Sequence, residues 1–289
     1  WSVDGKTYRF RSDNNFIAWI TTIFEVGDAV AGGGGGGLDL IYSDQIPPVA
    51  GGVGNLWARY SVGASPAGNA RGVGAVDLQQ TRSLATQVAS GIDSTIGGGS
   101  GNTASGDYST IGGGIGNTNS GKYSTIGGGH SNTASGAFIC TIAGGEGNSA
   151  TGDRNTVGGG KDNTGGGYCS TIAGGHNNNA LGLHSFIGGG YYNSATDDGT
   201  VVSGGKYNNA SVNFATVGGG KSNTASNYYA TVGGGRNNTA SNYISTVGGG
   251  KYNTASGYIS TVGGGQSNTA SAYKSAIGGG GANTASGIY

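Results

Sequence analysis

The sequence predicts an all-β fold, a β-solenoid (a parallel β-roll or β-helix) made of short repeated coils. A unit of about fifteen residues is written thirteen times between Ser94 and Tyr289. Each copy opens with one β-branched aliphatic residue followed by a Gly-rich run, and the chain contains 67 Gly in 289 residues. A strict period sustained over this length is typical of identical units that stack on one another.

The aliphatic residue that opens each Gly-rich run is taken as position zero of the repeat. The spacing is fifteen residues throughout, except for sixteen between Ile126 and Ile142, where we expect Ile139 to be a single-residue insertion. We expect these residues to form one buried column. The predicted core aliphatics are Ile96, Ile111, Ile126, Ile142, Val157, Ile172, Ile187, Val202, Val217, Val232, Val247, Val262 and Ile277.

Position six is Asn in every copy, and positions two and three are always Gly. In stacked coils the Asn side chains meet in register, where each amide can bond the amides above and below. The two Gly fit a place where a neighbour, another chain among the candidates, approaches the backbone closely. The predicted ladder consists of Asn102, Asn117, Asn132, Asn148, Asn163, Asn178, Asn193, Asn208, Asn223, Asn238, Asn253, Asn268 and Asn283.

Fifteen residues suffice for two strands of four or five residues and two tight turns. The STI or ATV segment and the NTAS segment are the predicted strands, and Gly and Asn supply the positive φ angles of the turns. Alternation within a strand directs the aliphatic residue inward and the neighbouring Thr outward.

The interior of one coil is predicted to be thin. One buried Ile or Val contributes about 1.5–3 kcal/mol, whereas ordering fifteen backbone residues costs on the order of 15–30 kcal/mol. We therefore expect several chains to share a burial surface in a homo-oligomer.

Most copies also carry an aromatic residue eleven or twelve positions after the aliphatic, which predicts a turn rather than a strand. This row either packs along the coil edge or a seam between chains, or it offers a surface for stacking sugars. It comprises Tyr108, Tyr123, Phe138, Tyr168, Phe214, Tyr228, Tyr243, Tyr258, Tyr273 and Tyr289.

Three regions are predicted along the chain. Residues 1–31 form a small β-rich N-terminal region, with a hairpin at Asp4-Gly5 and a further strand in Phe16–Val26. Residues 32–93 are a Gly-rich linker and an irregular transition segment, in which 75–89 is either a short helix or an extended crossover. Residues 94–289 are the thirteen-coil shaft. The chain has no Met and begins on Trp1, so we expect it to be a segment of a longer polypeptide.

The balance of 14 basic and 14 acidic residues argues against a nucleic-acid partner, because no basic patch is visible to neutralise phosphates. The longest apolar run, Phe16–Phe24, is too short to span a bilayer, so no membrane insertion is expected.

We expect no catalytic centre, metal site or cofactor. The three His residues, at 130, 176 and 184, are not expected to cluster with carboxylates, and Cys140 and Cys169 are too far apart for a disulfide. Asp197-Asp198 is predicted to lie in a bulged turn rather than to act as a catalytic pair. Position four is variable and polar, and its basic members form a candidate glycan-contact row: Lys161, Lys206, Lys221, Arg236 and Lys251.

The unit STIGGGxxNTASGxY resembles the head repeats of trimeric autotransporter adhesins, and this resemblance covers residues 94–289. It implies a parallel β-roll associated as a homotrimer. The preceding segment RGVGAVDLQQTRSLATQVASG, from Arg71, is similar to what precedes such repeats in bacteriophage tail fibres. The neck, coiled-coil stalk and membrane anchor of the autotransporters are missing from this sequence, which favours the phage fibre.

The resemblance therefore implies a non-catalytic shaft and adhesion component in a virion tail. Its implied partners are two further copies of the chain, other tail or baseplate proteins, and a glycan of the host surface. Two alternatives stay open: a trimeric adhesin head on a bacterial cell surface, and a tailspike that degrades polysaccharide, for which two positioned carboxylates would be needed.

Overall fold

The computed structural model describes residues 71–287 and the backbone of four short strands that precede them. The described residues contain strands and turns but no helix, so the predicted all-β class is confirmed. Strands β1 (Ser2–Val3) and β2 (Lys6–Thr7) pair antiparallel, as the Asp4-Gly5 hairpin signal predicts. The predicted strand at 16–26 and the glycine run at 32–37 lie outside the described residues.

Two long sheets run side by side along the solenoid, and within each sheet the successive coils pair parallel. The first sheet contains, in spatial order, β3 (Asp39–Tyr42), β4 (Leu56–Arg59), β5 (Val76–Asp77), β6 (Thr95–Ile96), β8 (Thr110–Ile111), β10 (Thr125–Ile126), β12 (Thr141–Ile142), β14 (Thr156–Val157), β16 (Thr171–Ile172), β18 (Phe186–Ile187), β20 (Val201–Val202), β22 (Thr216–Val217), β24 (Thr231–Val232), β26 (Thr246–Val247), β28 (Thr261–Val262) and β30 (Ala276–Ile277). Only β3 and β4 pair antiparallel in it.

The second sheet is parallel throughout its described strands. It contains β7 (Thr103–Ala104), β9 (Thr118–Asn119), β11 (Thr133–Ala134), β13 (Ser149–Ala150), β15 (Thr164–Gly165), β17 (Asn179–Ala180), β19 (Ser194–Ala195), β21 (Asn209–Ala210), β23 (Thr224–Ala225), β25 (Thr239–Ala240), β27 (Thr254–Ala255), β29 (Thr269–Ala270) and β31 (Thr284–Ala285).

The repeat strands are two residues long rather than the four or five expected. The glycines that follow each aliphatic and the residues around each Asn already belong to the turns, which leaves only the central pair extended. Register is constant from coil to coil: Thr216 faces Thr231, and Val217 faces Val232. Backbone bonds such as Thr216 N to Ala230 O, at 2.9 Å, join the coils.

The interior is a column of Ile or Val from the first sheet packed against a column of Ala from the second. Every predicted core aliphatic from Ile96 to Val262 is fully buried within the single chain, and Ile277 in the last described coil is partly buried. The neighbouring Thr side chains point outward, as the alternation predicts. The aliphatic column is therefore closed within one chain, and the burial surface shared between chains stays a prediction. The coil is narrow enough for its own two sheets to exclude solvent.

Two departures from the usual residues of the interior columns occur together in one coil. Gly165 replaces the usual Ala where Asn155, inside the same coil, replaces the usual Ser. The Asn155 Nδ2 donates to the Gly165 carbonyl at 2.5 Å, and a Cβ on Gly165 would lie 3.4 Å from that nitrogen. The larger polar side chain at position 155 is thus satisfied by the backbone of the residue that lacks the methyl group.

The close neighbour of the conserved glycines is the next coil of the same chain. Gly99 has φ +87°, and a Cβ there would lie 2.0 Å from the carbonyl oxygen of Gly114. No Cβ contact of any kind arises at Gly98, the preceding position. Another chain is therefore not needed to explain the glycine at position three.

The sixteen-residue coil absorbs its extra residue in a turn. Ile139 has φ +55°, like Tyr123 at +58° in the coil before, so Ile139 occupies a regular corner and the insertion precedes it. Register is restored at once, because Thr141 and Ile142 pair with Thr125 and Ile126.

The solenoid begins one coil before the boundary expected at Ser94. Strand β5 pairs with β6 and Ala89 bridges to Ala104, so residues 71–93 form a fourteenth coil rather than a helix or an irregular transition. This coil is four residues longer than the standard one, since Asp77 pairs with Ile96 nineteen positions later. The repeat motif is absent from this coil, because its residues are those of the first coil, which we call the cap coil.

The cap places a charged group where the other coils have Ile or Val. Asp77 is 1% exposed, and its Oδ2 lies 3.0 Å from Arg71 Nη2 and 3.3 Å from Arg82 Nη2. Burial lowers the pKa of the Arg82 guanidinium, although Asp77 opposes that shift. A buried carboxylate is tolerated only when it is paired in this way. The column of Ile and Val therefore gives way at this coil to a group of three charged side chains.

Candidate binding surfaces

The Asn side chains form a column that is buried from Asn102 to Asn268. In a representative rung, the Asn223 backbone N–H donates to Asn208 Oδ1 at 3.0 Å. The Asn223 Nδ2 donates to the carbonyls of Gly219 at 2.8 Å and Gly235 at 2.9 Å. Bonds between two side-chain amides occur at some rungs, for example Asn163 to Asn148 at 3.1 Å. The column thus ties each turn to the coils on both sides and leaves no group free for a ligand.

Each coil presents two exposed edges. The first turn joins the first strand to the second, as residues 97–102 do, and the second turn leads to the next coil, as residues 105–109 do. Functional side chains that project from the rod therefore come from these turns or from the outward Thr rows.

The candidate glycan-contact row lies on the first turn, where parallel bridges join its members coil by coil. Lys161 is separated from the other four by His176 and Tyr191, and it pairs with Glu146 at 2.9 Å. This partner lowers the pKa of Glu146 and raises that of Lys161. The remaining four occupy consecutive coils, and we call them the basic strip: Lys206, Lys221, Arg236 and Lys251.

An aromatic cluster lies beside the basic strip. Tyr191 and Tyr192 have ring centroids 4.5 Å apart, and Tyr207 lies 5.8 and 5.5 Å from them. His176 completes the cluster, 5.0 Å from Tyr191. Sequence reasoning missed this cluster because it followed only the aromatics of the second turn. The adjacent Tyr at positions four and five of neighbouring copies was the available signal.

The second turn carries the predicted aromatic residues from Tyr108 to Tyr273, which lie in turns as expected, whereas Tyr289 lies outside the described residues. Ring contacts with centroids 5.0–6.1 Å apart run without interruption through five consecutive coils. Most of these rings are 42–57% exposed. We call this row the aromatic ladder: Phe214, Tyr229, Tyr243, Tyr258 and Tyr273. Tyr108 and Tyr123 form a separate stacked pair at 5.0 Å.

Two His residues approach single carboxylates, contrary to the expectation that none would. His176 Nε2 lies 3.7 Å from Asp162 Oδ2, and His184 Nδ1 lies 3.3 Å from Asp198 Oδ1. Both pairs are on the surface. Within residues 71–287, no group of three His, Cys, Asp or Glu side chains could hold a metal ion. Asp197 and Asp198 lie in an ordinary second turn whose coil keeps the fifteen-residue register, so no bulge is present.

Neither cysteine is bonded to the other. Cys140 is buried in the column that usually holds Ser, where its Sγ lies 3.1 Å from the Gly152 carbonyl oxygen. Burial raises the pKa of this thiol. Cys169 lies at a partly exposed corner of the second turn.

None of the described segments is a helix long and apolar enough to cross a bilayer. Comparison with profiles of known protein families gives no match for the chain. A search of curated proteins finds no significantly similar sequence.

Proposed function

We propose that the chain is the shaft and adhesion component of an extracellular attachment fibre, of the kind found in bacteriophage tail fibres, and that it works as a homotrimer without catalytic activity. The observation that carries the proposal is the unbroken register of fourteen stacked coils. At about 4.8 Å per coil they make a rod of roughly 65 Å, and such a rod holds one end far from the other. In a virion tail it would join other tail or baseplate proteins to the host surface.

The aromatic ladder supports assembly of several chains. Contiguous exposed rings of this kind are uncommon on a monomer and mark interaction sites. The core aliphatics are already buried within one chain, so the exposed ladder is the surface that we assign to contacts between chains. The other two copies of the chain are its proposed occupants, and the number three rests on the resemblance to trimeric adhesin heads.

Parallel copies would also present equivalent surfaces at equal heights. Weak contacts of one chain with a host glycan would then add through effective concentration. This is how a shaft contributes to adhesion without a deep binding pocket.

Native mass spectrometry and sedimentation of the 289-residue chain test the assembly. We expect three chains per particle, and we expect Tyr243→Ser with Tyr258→Ser to shift the particle towards the monomer. Tyr192→Ser is the matched control, because Tyr192 is exposed on the other turn, and it should leave the mass unchanged. A parent chain that stays monomeric at micromolar concentration contradicts the trimer.

Electron microscopy of the same particles tests the rod. A straight segment of roughly 65 Å, set by the strand spacing, is expected in the parent chain. A compact or flexible particle would rule out the shaft.

A further inference from the structure

The first turn carries two different charge patterns along the same column. On adjacent rungs, the Glu146 carboxylate and the Lys161 ammonium group form an ion pair at 2.9 Å. The basic strip, which begins three coils after Lys161, has four cations on successive rungs. Within the described part of the chain, none of these four forms an ion pair.

Cations on successive parallel strands stand about 4.8 Å apart. Like charges placed directly opposite each other in a sheet oppose folding, and salt screens exposed charges only partly at such a short distance. Repulsion between the four cations therefore raises the free energy of the folded chain when no ligand is bound. A bound polyanion whose charges repeat along the rod would remove that cost.

The aromatic residues fix the ends of the strip. Lys206 Nζ lies 4.7 Å from the ring centroid of Tyr191 and 5.0 Å from that of Tyr207, and Lys251 Nζ lies 4.9 Å from that of Tyr252. Cation–π attraction holds such ammonium groups over the rings. The pKa of Tyr191 is raised by loss of hydration and by the neighbouring Tyr192 and Tyr207.

We propose that the basic strip, with Tyr191, Tyr207 and Tyr252, binds a linear acidic polysaccharide along the axis of the rod. This inference rests on the proposed function, which it deepens by naming the ligand class and its site. Successive cations stand about 4.8 Å apart along the rod. The length of one sugar unit in an extended glycan is similar, so carboxylate or sulfate groups on successive sugars meet successive cations.

The arrangement favours a glycan over a single-stranded nucleic acid. Proteins that bind single strands without sequence preference stack bases on open aromatic faces. Here Lys206 occupies one face each of Tyr191 and Tyr207, and the rings of the cluster also contact one another. The hydroxyl edges of the rings remain, and hydroxyl groups suit the polar edge of a sugar.

Binding to heparin and to polygalacturonate, with dextran as the neutral probe and a twenty-residue oligothymidylate as the nucleic-acid probe, tests the inference. The charge-neutral variant replaces Lys206, Lys221, Arg236 and Lys251 with Gln. The matched control replaces two cations of the second turn, Lys122 and Arg154, with Glu, and so has the same net charge as the strip variant.

We expect the parent and the control to bind both acidic polysaccharides, with affinity that falls as salt rises, and to ignore dextran. The strip variant should bind at least tenfold more weakly and should be no less stable than the parent to heat, because repulsion has been removed. Equal loss in the strip and control variants, tighter binding of the oligothymidylate, or no binding by the parent would overturn the inference. Particle mass, measured on the same samples, reports separately on the fibre.

Discussion

The side-chain carbonyl of Gln79 accepts a hydrogen bond from the backbone N–H of Asn102 at 2.8 Å. Every later Asn backbone in the ladder donates the same bond to the Asn one coil before it, as Asn117 does to Asn102 at 2.9 Å. Gln79 lies in the first turn of the cap coil, two residues after Asp77, and its side-chain amide also donates to the carbonyls of Gln87 and Asn102. A residue outside the repeat therefore supplies the acceptor that starts the ladder.

Gln79→Ala should loosen the start of the solenoid. The buried Asn102 N–H loses its acceptor, and an unsatisfied buried group costs about 1–3 kcal/mol. Because coils interact mainly with their neighbours, we expect faster hydrogen exchange at Asn102 while exchange in the distal coils is unchanged. Gln80→Ala is the control, since that side chain is exposed. Equal exchange at Asn102 in both variants would show that Gln79 is not the start of the ladder.

Asp77→Ala should destabilise the cap more strongly. It leaves Arg71 and Arg82 without the buried carboxylate that pairs with both of them. Removing one partner of a buried ion pair costs about 3–5 kcal/mol, whereas replacing the whole group by apolar residues is often tolerated. Urea unfolding followed by circular dichroism measures the loss.

The triple variant Asp77→Leu, Arg71→Met, Arg82→Met is the companion to Asp77→Ala. It should regain most of the lost stability, because the two guanidinium groups that bond to Asp77 are removed together with it. If the triple variant is as unstable as Asp77→Ala, the carboxylate does more than balance the two guanidinium groups.

Two adjacent glycines should respond very differently to substitution by Ala. Gly235 has φ +89°, and a Cβ there would lie 2.1 Å from the Gly250 carbonyl oxygen, whereas a Cβ on Gly234 meets nothing within 4 Å. We expect Gly235→Ala to cost more than the roughly 1–3 kcal/mol of backbone strain alone, and Gly234→Ala to change the melting temperature little. Similar melting temperatures for the two variants would contradict the stacking of these turns.

The two thiols should react at different rates in the folded chain. Burial shields Cys140 and raises its pKa, which lowers its thiolate fraction, and the thiolate is the reactive form. Iodoacetamide at neutral pH should label Cys169 first and Cys140 only after unfolding, with peptide mass spectrometry as the readout. Rapid labelling of Cys140 without denaturant would mean that its column is not closed.

The sequence by itself determined the period, the Asn column and the aliphatic column. These follow from the pattern because every coil gives its residues the same surroundings, so one residue type serves at a position in nearly all copies. Tyr108 and its equivalents could be assigned to a turn for the same reason, since a shift between positions eleven and twelve is compatible with a corner and not with a strand.

Only the tertiary structure decided the contacts of residues that do not follow the repeat, and the contacts between the two sheets and between neighbouring rungs. Asp77 and Gln79 become a cap through contacts with Arg71, Arg82 and Asn102, and no periodic pattern marks them. Closure of the interior within one chain depends on the distance between two sheets. Lys161 forms an ion pair because Glu146 lies on the adjacent rung, whereas the cations of the basic strip lie beside one another and form no ion pair within the described residues. In each case the deciding quantity is a distance between atoms in the folded chain, which composition and spacing do not contain.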